Sequence, residues 1–211
     1  VITAANTFVA TVGAIAELGA KPVFVDCDDT FCMDTNQIEK LITEKTRALV
    51  PVHFTGYMTN MRQLGPIAEK YDLQIVEDAC QSILGSIDGR NVGTWGYPGA
   101  FSLHPLKNIN VWSDGGVIVT NDAGLNEKLT LLRNHGFKDR DTVVTMGCNS
   151  RLDTIQAVVG NWTLPQAKAI SDQRIVNANY LDKGLCKLKG IIIPPRPEGF
   201  RLVYHLYIVF A

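Results

Sequence analysis

The feature that most limits the fold is a repeating pair, a short apolar run followed by a stretch whose apolar residues recur with helical spacing. Pro22-Val23-Phe24-Val25, residues 48–52 and residues 73–76 are apolar, partly β-branched and too short for helices. Residues 7–18, 36–42 and 61–71 carry amphipathic spacing, the first closed by Gly19. Short strands joined by helical crossovers predict an α/β chain with a mostly parallel sheet covered on both faces. After Asp78 the pattern changes. A Gly- and turn-rich stretch, 85–99, leads into two β-type runs, 100–103 and 116–120, then a helix over 124–134, a loop to Asn149 and a long helical region interrupted by Pro165.

Composition narrows the function. Twenty basic residues balance twenty-one acidic ones with no Lys/Arg run, so the chain carries no electrostatic footprint for nucleic acid or an anionic membrane. No window approaches the ~20 apolar residues of a membrane span, and no basic-then-apolar leader opens the chain. The five cysteines are scattered without C-x-x-C spacing, which argues against structural zinc and for reduced thiols in a cytoplasmic protein. Val1-Ile2-Thr3 reads as the tail of a strand, and 202–210 is an apolar, β-rich run that stops as it becomes one, so a fragment is expected.

Two positions suggest chemistry. Asp78 closes the apolar run Ile75-Val76-Glu77-Asp78, at the strand end where open α/β sheets place ligand groups; a helix-capping aspartate is the competing reading. Lys107 follows a second such run, in Phe101-Ser102-Leu103-His104-Pro105-Leu106-Lys107-Asn108, and precedes Ser113-Asp114-Gly115-Gly116. A lysine to form an imine, an anion for a pyridine nitrogen and a phosphate donor are the parts of a pyridoxal 5'-phosphate site, and Lys107, Asp78 and Ser102 supply one of each. A lone lysine is otherwise a solvated surface charge.

Seven landmarks in order make the chain resemble the DegT/DnrJ/EryC1/StrS sugar aminotransferases of the fold-type-I, aspartate aminotransferase-like superfamily. They are Asn6-Thr7-Phe8-Val9-Ala10-Thr11, Gly19 to Asp26, Glu77-Asp78-Ala79-Cys80-Gln81, Phe101-Ser102 to Lys107-Asn108, Asp114-Gly115-Gly116, Gly147 to Asp153 and Tyr204-His205-Leu206-Tyr207. Two small-residue departures occur: Ser113 where the family usually has glycine, and Cys80 where it usually has alanine. The resemblance implies a three-layer α/β/α large domain over 1–185, lacking its N-terminal part, and the truncated start of a small α+β C-terminal domain over 186–211.

The resemblance also implies the site. Lys107 matches the lysine joined to pyridoxal 5'-phosphate, Asp78 the carboxylate at the pyridine nitrogen, and Gln81 a glutamine hydrogen-bonding near the ring. Phe8 matches the aromatic that stacks on the ring, and Ser102 a phosphate donor. Asn149 matches an asparagine that reaches the neighbouring subunit's phosphate, which makes the expected homodimer share its active sites. The competing readings are an exposed residue on a first helical turn for Gln81 and core packing for Phe8, while Arg151 reads equally as a phosphate contact or a loop brace. His104 is given no catalytic role, and His53 either lines the substrate side or is buried with a satisfied hydrogen bond.

The activity implied is transfer of an amino group from L-glutamate to a keto-sugar, nucleotide-linked, in amino-sugar biosynthesis. Two rivals stand beside it: a deoxysugar dehydratase, whose family members carry histidine in place of the lysine, and a catalytically silent regulatory relative. A nicotinamide site is set aside because Gly85, Gly89 and Gly93 are spaced by four and follow no strand.

Overall fold

The computed structural model describes residues 1–211. Strand β1 (Ile2–Ala4) leads through helix α1 (Val9–Glu17) to β2 (Val23–Val25), and β3 (Ala48–Val50) leads through α2 (Met61–Lys70) to β4 (Gln74–Ile75) and β5 (Glu77–Asp78). A hairpin of β6 (Ser86–Ile87) and β7 (Arg90–Asn91) precedes β8 (Pro98–Ser102) and β9 (Gly116–Thr120). Helices α3 (Ala123–Leu132), α4 (Thr154–Thr163) and α5 (Ala167–Leu185) follow, and β10 (Phe200–Arg201) closes the list of strands.

The first ladder runs in the order β2-β1-β3-β4 and is parallel throughout, with Ile2 opposite both Val23 and Leu49, and Leu49 opposite Ile75. The second runs β5-β8-β9; β5 and β8 are parallel, and β9 returns antiparallel. The run 74–78 joins the two: Val76 N–H donates to Leu49, Asp78 N–H donates to Pro51, and Val52 bridges Asp78 in parallel. Four parallel steps and one antiparallel step to the edge strand β9 therefore make one continuous surface, as the alternating sequence predicts. All three residues of β1 are buried although successive side chains point to opposite faces, so both faces are covered there.

The helices are held by the faces they bury. Met61, Leu64 and Ala68 of α2 sit at helical spacing and join Ile2, Leu49 and Ile75 in the main core, which also receives Ala178 of α5. Helix α1 ends where Gly19 takes φ +71, a conformation cheap only without a Cβ. The stretch 36–42, expected to be helical, forms two single 3-10 turns, Thr35–Gln37 and Glu39–Leu41. Asp34 caps the first of them, its carboxylate accepting from the backbone N–H of Asn36 and from the side-chain amides of Asn36 and Gln37.

The run 202–210 does not become a strand. Only Phe200–Arg201 pairs, antiparallel to β6, and Phe210 forms a single bridge to Ile192. The N–H groups of Val203 and Leu206 donate instead to the carbonyls of Gly56 and Thr55, and Leu202 and Tyr204 enter the main core. No helix is long and apolar enough to cross a membrane.

Candidate active site

Asp78 ends β5, opposite Ala100 of β8, so the sheet fixes its backbone from both sides. Its Oδ2 accepts a hydrogen bond from Thr11 Oγ1 at 2.7 Å and its Oδ1 accepts from Cys80 N–H at 3.1 Å. The competing reading as a helix cap fails, because no helix lies between β5 and β6. The preceding residue, Glu77, points into the protein and is fully buried, its carboxylate accepting from His53 Nε2 at 3.0 Å and from the backbone N–H groups of Gly93, Trp95 and Gly96. Burial raises the Glu77 pKa, but the hydrogen bonds from His53 and from the Gly96 and Gly93 amides outweigh it and leave the carboxyl below its ordinary range.

Lys107 sits in the turn after β8, its N–H bonded to the His104 carbonyl at 2.8 Å. Its neighbours pin the turn: Asn108 Nδ2 donates to the Val203 carbonyl, Ile109 and Val111 are buried, and Val111 N–H returns to Leu103. The Lys107 side chain belongs to none of the chain's ion pairs, which leaves its amine unengaged.

A cavity of about 450 Å³ brings the expected residues together: Lys107, Asp78, Gln81, Ser102 and Phe8 all line it. Gln81 is half-buried, its Oε1 accepting from Thr55 N–H at 2.7 Å, so it is not the exposed helical residue of the alternative reading. Phe8 is 69% exposed and does not pack in the core; its ring is left uncovered at the cavity. Ser102 Oγ accepts from His104 N–H at 3.2 Å, which leaves its own hydrogen free to donate. Asn149 lies outside this cavity, on the surface, with its Oδ1 accepting from Arg151 Nε at 3.0 Å. Arg151 thus braces the Asn149 side chain within the chain.

The histidines separate cleanly. His53 is fully buried, lies away from the cavity wall, and spends both ring nitrogens, Nε2 on Glu77 and Nδ1 accepting from Thr59 N–H; the substrate-side option is corrected by this burial. His104 lines the cavity with Nδ1 accepting from Leu106 N–H and Nε2 3.8 Å from Asp114. His205, which sequence reasoning assigned no role, also lines the cavity, and its Nδ1 is buried without a partner. Burial and the nearby charges of Lys107 and Arg174 hold its pKa down to about 4, so it is neutral at pH 7. The backbone that presents it is clamped: Arg174 donates to the Tyr204 and His205 carbonyls, and Gly56, at φ +99, lets the 55–56 turn approach so closely that an added Cβ would lie 2.8 Å from His205 N. The landmark Tyr204-His205-Leu206-Tyr207 was the signal available for it in the sequence.

Comparison with known proteins identifies the family. The model of the DegT/DnrJ/EryC1/StrS aminotransferase family matches residues 1–211. A pleiotropic regulatory protein of Geobacillus stearothermophilus is 40% identical over 100% of this chain and 58% of its own length. A UDP-N-acetyl-3-dehydro-alpha-D-glucosamine 3-aminotransferase of Acidithiobacillus ferrooxidans is 40% identical over 99% of the chain and 57% of its own. The crystal structure of S. venezuelae DesV superposes with a TM-score of 0.95 at 37% identity, covering 99% of this chain and 56% of that one. The chain therefore spans a little over half the length of these relatives, and its three-layer, mainly parallel α/β architecture is theirs. A cavity that unites an unengaged lysine, an anchored carboxylate and an uncovered aromatic ring, on a fold and sequence matched from end to end, places this chain in the DegT/DnrJ/EryC1/StrS aminotransferase family.

Proposed function

We propose that the protein is a pyridoxal 5'-phosphate-dependent aminotransferase that moves an amino group from L-glutamate to a nucleotide-linked keto-sugar in amino-sugar biosynthesis. The observation that carries this reading is the convergence of Lys107 and Asp78 on one cavity. The cavity fits the cofactor: its ~450 Å³ lies in the range of small-molecule sites, its Phe8 ring lacks a packing partner, and its Lys107 amine is unengaged. When bound, the cofactor supplies an aldehyde that takes up an amine and a ring that draws electrons from the carbon losing its proton.

The chain's residues do the rest. The Asp78 carboxylate would hold a proton on the ring nitrogen of the cofactor, which is what makes such a ring electron-withdrawing. Lys107, in the pinned turn 104–111, would hold the cofactor through its amine, and when free that amine would serve as the base and acid for the substrate's α-proton. Phe8, Ser102 and Gln81 would help hold the cofactor: Phe8 would offer its uncovered ring for stacking, Ser102 its free hydroxyl hydrogen to the phosphate, and Gln81, whose oxygen is taken by Thr55 N–H, its amide nitrogen as a donor. Asn149, on the surface and outside its own chain's cavity, serves the phosphate of a second copy, which makes the working unit a homodimer with shared sites. The five cysteines form no disulfide, and a cytoplasmic protein with reduced thiols is the setting proposed.

A regulatory reading draws on the name of one relative, but the lysine and the carboxylate are both in place here. The dehydratase reading calls for histidine where Lys107 stands. The test is a half-reaction. L-glutamate should bleach the visible absorbance of the cofactor-loaded protein while 2-oxoglutarate appears, and a nucleotide-linked keto-sugar should restore it with an aminated product. Absorbance indifferent to amino donors, or loss of water from the sugar in place of amination, would overturn the proposal.

A further inference from the structure

We infer that Thr11, backed by Thr7, is the positioning residue for Asp78, and that this pair of hydroxyls sets the carboxylate for the cofactor's ring nitrogen. The inference rests on the role of Asp78 proposed above and adds residues to which that reading gives no part.

Thr11 is the third residue of α1 and is only 8% exposed. A buried hydroxyl needs a partner; valine would fill the same volume with no polar atom to satisfy. The partner is Asp78 Oδ2, at 2.7 Å, across 67 residues of sequence. An ionised carboxylate only accepts, so the Thr11 proton is committed to Asp78. The second contact, Thr7 Oγ1 to Thr11 Oγ1 at 2.8 Å, then has one possible direction, with Thr7 donating. The alternative acceptor for Thr7, the Phe8 carbonyl, is farther, at 3.4 Å. The chain of donors runs from Thr7 on the cavity wall to Thr11 and on to Asp78.

The effect on Asp78 follows from its freedom. The terminal torsion of aspartate is broad, so a carboxylate held at one oxygen swings. Cys80 N–H holds Oδ1 and Thr11 holds Oδ2, and two fixed points lock the plane. Each oxygen keeps a free lone pair for one further donor. A donor that polarises a neighbouring donor also strengthens the next bond, which is the part left to Thr7.

The experiment measures affinity for pyridoxamine 5'-phosphate, which binds without a covalent link to Lys107, by equilibrium dialysis in four variants. Thr11→Val should weaken binding about tenfold, the size of one hydrogen bond to a charged group. Thr11→Ser should recover most of it. In an Asp78→Asn background Thr11→Val should change affinity by less than about twofold, because the carboxylate it positions is gone. An equal loss in both backgrounds would make Thr11 a packing residue and overturn the inference, as would wild-type affinity in Thr11→Val. If Asp78→Asn by itself leaves affinity unchanged, the assignment of Asp78 fails first; if Asp78→Asn weakens binding and Thr11→Val does not, only the positioning role falls.

Discussion

Replacing Glu77 by glutamine tests whether the buried acid beside Asp78 holds up this end of the sheet. Oε1 accepts from the N–H groups of Trp95 and Gly96, each at 2.6 Å, and Oε2 accepts from Gly93 N–H at 2.7 Å and His53 Nε2 at 3.0 Å. Because His53 Nδ1 already accepts from Thr59 N–H, the ring proton is on Nε2 and cannot be moved without setting two donors face to face. A glutamine has one acceptor oxygen, so it serves one pair of donors and confronts the other pair with its own NH2. Two stranded donors at about 1–3 kcal/mol each, against a side chain that is itself fully buried, give a loss of about 3–5 kcal/mol. That is a large share of the ~5–15 kcal/mol that holds a typical protein folded. Urea unfolding at pH 7 should show the midpoint falling by about 1.5–2 M with an unchanged slope. Because the folded pKa of Glu77 lies below its unfolded value, its contribution is complete above about pH 4.5 and is lost as pH falls through the folded pKa, so wild type and variant should converge in acid. A Glu77→Gln protein within about 0.5 kcal/mol of wild type at pH 7 would refute the assignment.

Gly56→Ala should cost at least about 2 kcal/mol, since an alanine at φ +99 is strained and its Cβ meets the Tyr204 and His205 backbone; wild-type thermal stability would contradict this. His205 has its folded pKa lowered to about 4 from an ordinary 6.5, so the stability tied to its neutral state is full above pH 6.5 and is lost as pH falls toward 4. His205→Asn should flatten that limb of a melting-temperature against pH curve, and an unchanged limb would place the titration elsewhere. For the shared site, mixing Lys107→Ala with Asn149→Ala subunits should restore activity to a fraction of the hybrid sites. Verified heterodimers with no regained activity would show that Asn149 serves its own chain.

The sheet and helices were legible where local signals agreed with the packing. Gly19 marks the end of α1, and the spacing of Met61, Leu64 and Ala68 marks the buried face of α2. The meeting of Asp78 and Lys107 was legible too, because strand ends on one edge of a parallel sheet fall on one side. Contacts made across long separations were not. Nothing local announces that Thr11 reaches Asp78, or that the 202–210 run, read as an incipient strand, forgoes a ladder to dock on Thr55 and Gly56. Adjacent acids at 77 and 78 look alike in sequence, yet strand alternation sends one inward to His53 and the other to the cavity. The turns at 35–41 escaped because apolar spacing over so few residues does not separate two 3-10 turns from one short α-helix.

Borohydride reduction of the protein loaded with pyridoxal 5'-phosphate, followed by peptide mass mapping, bears directly on the chemistry assigned to the cavity. The reduced cofactor should be found on the peptide that carries Lys107, and Lys107→Ala should yield no labelled peptide. Label on another lysine, or label that survives the substitution, would contradict the assignment of this cavity as the seat of the reaction.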